Sequence, residues 1–413
     1  MLFPYPFEWL KFPVGIAMFN RTIISMFVGL AVAGCASSSK SDLSQGEKSR
    51  SEWNQARANV LYGLAKQQYT AGNYDVCRKS LDDGLKLDQQ SLYLHLLSAK
   101  LCIEQGQLEA AERELKLCRD LDAKNAEACY LSGVIYQRLQ KPQSAFDCYS
   151  LALELQPAEL PYLMAKAEML VAMDKPEEAL ALLQGRLDYY ENSAVIRDAV
   201  GQLLVRQGKF GQAADVLRQA SILTPDDQTI REHLALAMYY SAQYTDAVQL
   251  LTRMTQEERY IKRADLFIAL GQSQLHLGRP RDARDSFESA AQLDASSPIV
   301  WLDLAKVALE LKDLPRAELS LRKATSLEPG SAEARLMLGY LRLRQGKLPE
   351  AMTAFREAST LDHNDTVSLC MVGYVFEKLG DSAQAIAWYA KALKVSPSDD
   401  MASRLMSQVQ IEP

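Results

Sequence analysis

The chain has 413 residues, of which 48% are hydrophobic and 24% are charged, and its formal net charge is −6. Collagen-like, strongly disordered and fully membrane-embedded chains depart markedly from such a composition, so these classes are excluded for most of the length. Mild acidity without a long basic run argues against nucleic acid as a ligand.

A short apolar run lies near the N-terminus. Arg21 precedes residues 22–34, which hold only two polar side chains. A membrane-spanning helix needs about 20 apolar residues, so this run is too short to span and is typical of the core of a secretory signal. It ends in Ala33-Gly34-Cys35, which resembles the lipobox of bacterial lipoproteins. The resemblance implies cleavage before Cys35 and acylation of that cysteine, for example by palmitate.

The predicted signal peptide covers residues 1–34, and residues 35–57 are predicted to be the lipidated cysteine and a flexible polar tether. The serine-rich composition of this tether argues against an uncleaved anchor or a chance cysteine. Glu8 and three prolines precede the basic residue and make an unusual start for a signal. We therefore interpret Met18 as the true start of the chain.

Ala36 follows the candidate lipidation site. By the lipoprotein resemblance, an Asp at this position would favour retention in the inner membrane, so Ala36 favours a lipid anchor in the outer membrane, facing the periplasm. Placement in the inner membrane or at the cell surface stays open.

A small residue then recurs at ten positions, each 34 residues after the last except for one step of 36. Such a period predicts a stack of similar helical hairpins whose helices cross closely at each small residue. The ten positions are Ala65, Ala99, Gly133, Ala167, Gly201, Ala235, Gly271, Ala305, Gly339 and Gly373.

Other phases of the repeat agree with this prediction. A second small residue lies twelve positions after each of these ten, and it is Ala in nine of the ten units. Four positions after that second residue, a large side chain follows on the same helical face. Glycines between the two helices and prolines near the start of the second are typical helix-end signals. The large residues are Leu81, Leu115, Tyr149, Leu183, Leu217, Leu251, Phe287, Leu321, Phe355 and Tyr389.

These features resemble the tetratricopeptide repeat family, whose unit is a helix-turn-helix of 34 residues. The resemblance implies an all-α fold, a right-handed α-solenoid of about ten such repeats over residues 58–397. Repeats four and six are the poorest matches, and we expect an irregular joint near 255–263. Residues 398–413 are predicted to be a capping helix and tail, because apolar side chains there recur at helical spacing.

Catalytic and metal-binding motifs are not evident in the sequence. The four histidines fall at unrelated phases of the repeat, and no His stands at metal-ligand spacing from a cysteine. We therefore expect no enzymatic site, no metal and no cofactor. The six cysteines after Cys35 are interpreted as core residues, and Cys118 with Cys129 is the pair best placed for a disulfide.

The remaining function is binding of a protein or peptide partner. The tetratricopeptide resemblance implies that the first helix of each repeat lines a concave wall. Tyr and Arg on this wall are the residue types enriched at binding hot spots, although a Tyr there can equally pack between helices. The candidate residues are Tyr62, Lys66, Tyr69, Tyr93, Lys100, Tyr130, Arg138, Arg206, Tyr239, Tyr240, Tyr340, Arg344, Tyr374 and Lys378.

Two kinds of interaction scaffold fit these features. One resembles the pilotins and assembly lipoproteins of type IV or tight-adherence pili and secretion systems. The other is a periplasmic adaptor that recruits cell-wall enzymes or proteases. A cytosolic co-chaperone scaffold requires that the signal be false, and Lys66 lacks the companions of the family's carboxylate clamp in the following repeats.

Overall fold

The computed structural model describes residues 45–411, and over this range the chain forms 21 α-helices without a β-strand. Cys35, Met18 and the predicted signal peptide lie outside the described residues. The helices are α1 (Gln45–Thr70), α2 (Tyr74–Leu87), α3 (Leu92–Glu104), α4 (Leu108–Leu121), α5 (Ala126–Arg138), α6 (Pro142–Leu155), α7 (Leu160–Ala172), α8 (Pro176–Gln184), α9 (Ala194–Arg206), α10 (Phe210–Leu223), α11 (Gln228–Tyr240), α12 (Tyr244–Thr255), α13 (Ala264–His276), α14 (Pro280–Leu293), α15 (Pro298–Glu310), α16 (Leu314–Leu327), α17 (Ala332–Arg344), α18 (Leu348–Leu361), α19 (Thr366–Lys378), α20 (Ser382–Val395) and α21 (Asp400–Ile411).

The helices form ten consecutive pairs followed by α21. The odd-numbered helix of each pair packs on the even-numbered helix that follows, and each pair packs on the next. The fold class is therefore confirmed as an α-solenoid of ten helix-turn-helix units with a helix at its C-terminal end. No unit of such an array buries its apolar face alone, so stability comes from contacts between neighbouring units.

Each turn between paired helices contains a residue with positive φ. Glycine fills this position in six repeats, as at Gly72 with φ of 74°. Glycine adopts this left-handed conformation without steric cost. Gln140, Asp174, Ala242 and Lys312 occupy the same conformation in the other four repeats, with φ from 56° to 62°. A Cβ is disfavoured there, so these four turns are held by their flanking helices.

At each close helix crossing, the size of the small residue on the first helix limits the size of the side chain opposite it on the second helix. We call this relation the size rule. Gly133, Gly201, Gly271, Gly339 and Gly373 each lie against the large residue 16 positions later, and a Cβ built on any of these glycines falls 2.4–2.7 Å from that side chain. The five repeats with Ala at this position instead carry Leu as the large residue. All ten large side chains are buried. Every aromatic ring among them therefore fits where the opposing helix offers only a hydrogen.

Two joints interrupt the regular array. Nine residues separate α8 from α9, and eight separate α12 from α13. The second joint lies within the range expected from the sequence, whereas the first was signalled only by the poor match of repeat four. Each joint carries a tyrosine that bonds back to an earlier part of the chain. The Tyr190 hydroxyl donates to Pro157 O of the preceding repeat at 3.3 Å, and the Tyr260 hydroxyl donates to Gln228 O at the start of α11 at 3.4 Å.

The two ends of the array differ from each other. Helix α21 covers the last repeat with Met401, Leu405 and Val409, which pack against the cluster around Tyr389. At the other end α1 begins at Gln45, so residues 45–57 are helical rather than part of a flexible tether. The first fully buried side chain of α1 is Ala58, at the predicted start of the first repeat.

Candidate partner-binding wall

The odd-numbered helices line the inner side of the solenoid. Most successive odd-numbered helices touch one another, as α9 does α11 and α11 does α13, whereas the closer contacts within residues 45–411 include none between successive even-numbered helices. Elements on the inner side of a curved array lie closer together than those on the outer side. The candidate wall residues predicted from the sequence all lie on these odd-numbered helices.

None of the fourteen candidate wall residues is fully buried. Seven of them are exposed and seven are half-buried, so every one keeps part of its side chain in solvent. The exposed residues are Lys66, Tyr93, Arg138, Arg206, Tyr240, Arg344 and Lys378, and the half-buried residues are Tyr62, Tyr69, Lys100, Tyr130, Tyr239, Tyr340 and Tyr374.

The wall residues of repeats one and two contact one another across repeats. The rings of Tyr62 and Tyr93 have centroids 5.7 Å apart. Lys100 Nζ lies 2.5 Å from Glu127 Oε1 on the next first helix, so its charge is partly compensated. Tyr93 is 61% exposed, and this ring is accordingly the most accessible aromatic group of the N-terminal wall.

Tyr130 has a packing role. Its ring stacks on Tyr162 at 4.9 Å and lies 5.4 Å from Tyr149, which joins repeats three and four. Burial is also the main cause that raises the pKa of Tyr130. Arg138 is likewise engaged, because its guanidinium donates to the backbone carbonyl of Ile103.

The C-terminal part of the wall offers basic groups beside aromatic rings. Lys378 Nζ lies 5.0 Å from the centre of the Tyr374 ring, within the range of a cation–π interaction. The Tyr340 ring packs edge-on against Phe355 at 5.4 Å. Arg344 is exposed and forms no ion pair within the described chain.

Polar bridges between successive first helices were not foreseen from the sequence. His233 Nδ1 lies 2.7 Å from Asp198 Oδ1, which ties α11 to α9. The Gln272 amide donates to Asp303 Oδ2 at 2.7 Å, which ties α13 to α15. The partners belong to different repeats and to different phases, so reading one repeat at a time does not reveal them.

Five rings form what we call the aromatic ladder, comprising Phe210, Tyr239, Tyr240, Tyr244 and His276. They lie where first helices end and second helices begin, in repeats five to seven. Sequence reasoning found only Tyr239 and Tyr240. An available signal was the aromatic residue that starts α10 and α12, where several other repeats have Pro or Leu.

The described cysteines and acidic groups form no further site. Cys118 and Cys129 are both free in the structure, as are the other four cysteines of the described chain. Residues 45–411 contain no cluster of three or more His, Cys, Asp or Glu side chains placed to hold a metal ion. Within the same range no helix is both long and apolar enough to cross a membrane.

Family comparisons agree with this architecture. The family described as tetratricopeptide repeat matches residues 126–159, which are the third repeat predicted from the sequence, and residues 200–260. Residues 237–413, which run from the end of α11 to the end of the chain, match the family described as the C-terminal domain of cilia and flagella-associated protein 70.

Individual relatives are distant. The BBSome complex member BBS4 from Bos taurus is 22% identical over 252 residues, which are 61% of this chain and 48% of that protein. The match thus spans about half of the length of that relative. Among solved structures, the APC/C hetero-tetramer Cut9-Hcn1 has a TM-score of 0.46 and 16% identity over 88% of this chain and 92% of the other. Yeast Tom70 has a TM-score of 0.44 and 14% identity over 86% and 88%.

Proposed function

We propose that this protein is a non-catalytic scaffold that binds protein partners along the inner wall of its tetratricopeptide array. The observation that carries the proposal is that all fourteen wall residues keep solvent-accessible side chains, although many also contact a neighbouring repeat. Accessible Tyr and Arg offer large contact areas with a polar group at the tip, as binding hot spots do. The bovine relative is described as a member of a complex, which supports the same role.

Site-specific photo-crosslinking tests the binding wall. A photoreactive residue is placed at Tyr93 or Arg344 on the wall, and at Lys116 on the second helix α4 as a matched exposed control. We expect crosslinked partners, identified by mass spectrometry, from both wall positions and not from Lys116. Equal crosslinking from Lys116, or none from either wall position, would contradict the proposal.

We further propose that the scaffold is attached to a bacterial outer membrane by lipid at Cys35, with the repeats facing the periplasm. The support is the apolar run that ends in Ala33-Gly34-Cys35. Each buried methylene contributes about 0.8 kcal/mol, so lasting attachment requires more than one acyl chain. Distant relatives that share only the repeat carry no information on this placement.

Labelling with palmitate and separation of the two membranes test the anchor. We expect label in the wild-type protein, in the outer-membrane fraction, and its loss in Cys35→Ala. Peptides of that uncleaved variant also test the start site, because a peptide containing Trp9 would exclude a start at Met18. A soluble, unlabelled wild-type product would refute the anchor and favour a cytosolic scaffold.

Two partner classes fit an anchored scaffold, and the crosslinked proteins distinguish them. A pilus or secretion component would make the protein an assembly factor of pilotin type. A cell-wall enzyme or protease would make it a periplasmic adaptor. The membership of the bovine relative in a complex favours the assembly role.

A further inference from the structure

The rings of the aromatic ladder form one continuous strip. Phe210 stacks on Tyr240 at 5.1 Å, and Tyr240 contacts Tyr239 at the same centroid distance. Tyr244 lies 6.1 Å from Tyr239 and stacks on His276 at 4.3 Å, with only 5° between the two ring planes. The strip therefore crosses repeats five, six and seven along the edge where paired helices are joined.

Packing of the core does not require this strip. The close crossings in repeats five and six are formed by Gly201 with Leu217 and by Ala235 with Leu251, and all four residues are buried. By contrast the ladder rings are half-buried or exposed, and Tyr240 is 45% exposed. Five partly solvated rings in mutual contact form an apolar surface, and exposed apolar surfaces are typical of binding sites.

The tyrosine hydroxyls of the ladder are available to a ligand. Within the described chain, the hydroxyls of Tyr239, Tyr240 and Tyr244 form no hydrogen bond with another residue. Burial raises the pKa of Tyr239 to about 12, so its hydroxyl stays protonated at neutral pH and can donate. Because Phe210 stacks on Tyr240 and Tyr244 stacks on His276, part of each of these ring faces is covered by a neighbour.

Unpaired positive charge borders the ladder at both ends. Lys209 immediately precedes Phe210, and Arg279 follows His276 by three residues; both side chains are exposed and make no ion pair or hydrogen bond within residues 45–411. The nearby carboxylate of Asp246 is paired with Arg218 at 3.6 Å. Asp303, whose charge acts on Tyr239, is paired with Lys306 at 3.1 Å. The exposed Asp282 stands next to the exposed Arg281, so with Lys209 and Arg279 the net charge beside the strip is positive, which complements an acidic ligand.

We propose that the aromatic ladder binds a proline-rich peptide segment that carries acidic residues beside its prolines. A polyproline II segment has no internal hydrogen bonds, so its carbonyl oxygens accept from tyrosine hydroxyls while its proline rings pack on aromatic edges. The ladder is at most about 20 Å long, which six or seven residues span at about 3.1 Å each. Lys209 and Arg279 contact the acidic flanks.

This inference rests on the proposed function as a partner scaffold and names the chemistry of one partner segment. The test uses two purified preparations, the full chain with Cys35→Ala and the repeat region of residues 45–413. The probe is a fluorescein-labelled decapeptide of six prolines flanked on each side by two glutamates. Fluorescence anisotropy measures its binding without any cellular partner, so its failure is distinguishable from failure of the crosslinking experiment.

We expect Tyr240→Ala to weaken binding roughly tenfold or more, as loss of a hot-spot tyrosine does. Lys209→Glu should weaken binding and reduce its salt dependence. Tyr189→Ala, at an exposed tyrosine in the joint between α8 and α9 that belongs to neither the ladder nor the wall, should leave binding unchanged. Tyr240→Phe keeps the ring and removes only the hydroxyl, so it separates loss of binding from loss of folding. This variant should bind more weakly than wild type while its circular dichroism spectrum is unchanged.

Three outcomes would overturn the proposal. The first is no binding of the probe to wild-type repeats in either preparation. The second is equal binding of an acidic decapeptide in which glycine and serine replace the prolines, because that result would indicate simple charge attraction. The third is a binding constant that Tyr240→Ala and Tyr189→Ala change to the same extent, because the ladder would then have no special role.

Discussion

The size rule at the close helix crossings leads to a paired substitution in repeat nine. A Cβ on Gly339 would lie 2.4 Å from two ring carbons of Phe355 and 2.8 Å from a third. Contacts between carbon atoms are optimal at about 3.5–4.0 Å, so the ring would have to move by more than about 1 Å. Phe355 is fully buried, and a ring without free space around it cannot move so far without displacing α18.

The magnitude follows from two opposing effects. Overpacking a core costs about 1–3 kcal/mol, and three ring atoms inside 3 Å place Gly339→Ala near the upper limit. Ala is favoured over Gly inside a helix by about 1 kcal/mol, so the net loss of stability is about 2 kcal/mol. Phe355→Leu alone leaves a partly filled space and costs about 1 kcal/mol or more. Together the substitutions recreate the Ala–Leu pair found at Ala305 and Leu321 in the preceding repeat.

Guanidinium unfolding followed by circular dichroism measures the cycle of two single variants and one double variant. We expect the double variant to be more stable than Gly339→Ala, with a coupling free energy of at least about 1 kcal/mol. Hydrogen exchange of residues 332–365 localises the effect, since a repeat array need not unfold as one unit. Additive losses within about 0.5 kcal/mol would refute the size rule as a steric constraint.

Three further predictions concern single sites. His95 donates both ring N–H groups, to Glu114 Oε2 at 2.6 Å and to Gln89 O at 2.9 Å, and the hydrogen bond with Glu114 is the main cause that raises its pKa. The stabilisation by His95 is therefore complete below about pH 6.5, the unfolded value, and is lost as pH rises through the higher folded pKa. His95→Gln should flatten the pH dependence of the unfolding midpoint above about pH 6.5. Lys312→Gly should stabilise the chain by about 1 kcal/mol because φ there is 62°, as chemical denaturation would show, and an unchanged or lower midpoint would contradict this. Tyr260→Ala should cost about 3 kcal/mol or more because the side chain is fully buried, and small-angle scattering should report a loosened second joint; a profile identical to wild type would argue against that role.

Much of the fold could be predicted because the residues that pack together within each repeat recur at fixed positions of the sequence. The small residue at Gly133 and the large one at Tyr149 mark a close crossing, and both are visible in the sequence as recurrent phases. The dependence of one residue's size on the size of the other is harder to predict, because the sequence does not show that the two residues are in contact. The assignment of the wall to the first helices came from the tetratricopeptide resemblance, and helical periodicity selected which residues of those helices face outward.

The features that the sequence did not predict depend on side-chain contacts between different repeats, or lie in segments that make few contacts with the rest of the chain. Residues 48–57 of α1 are almost all exposed, and they have no apolar period that would indicate a helix before Ala58. The joint after α8 has no insertion in the repeat period to reveal it, only Arg186 at a position that is usually small. The ladder joins side chains of three repeats whose phases differ, and only the folded array brings Phe210 next to Tyr240.

The size rule also bears on how such an array can grow and change. Each large side chain lies 16 residues after its small partner, inside the same hairpin, so duplication or exchange of a whole hairpin transfers a matched pair. A recombination event within the turn would instead join a first helix that has alanine at the crossing to a second helix that has a phenyl ring, or the reverse. A crossover between hairpins therefore keeps every crossing matched, whereas one within a hairpin can place an alanine against an aromatic ring, a combination that none of the ten repeats has.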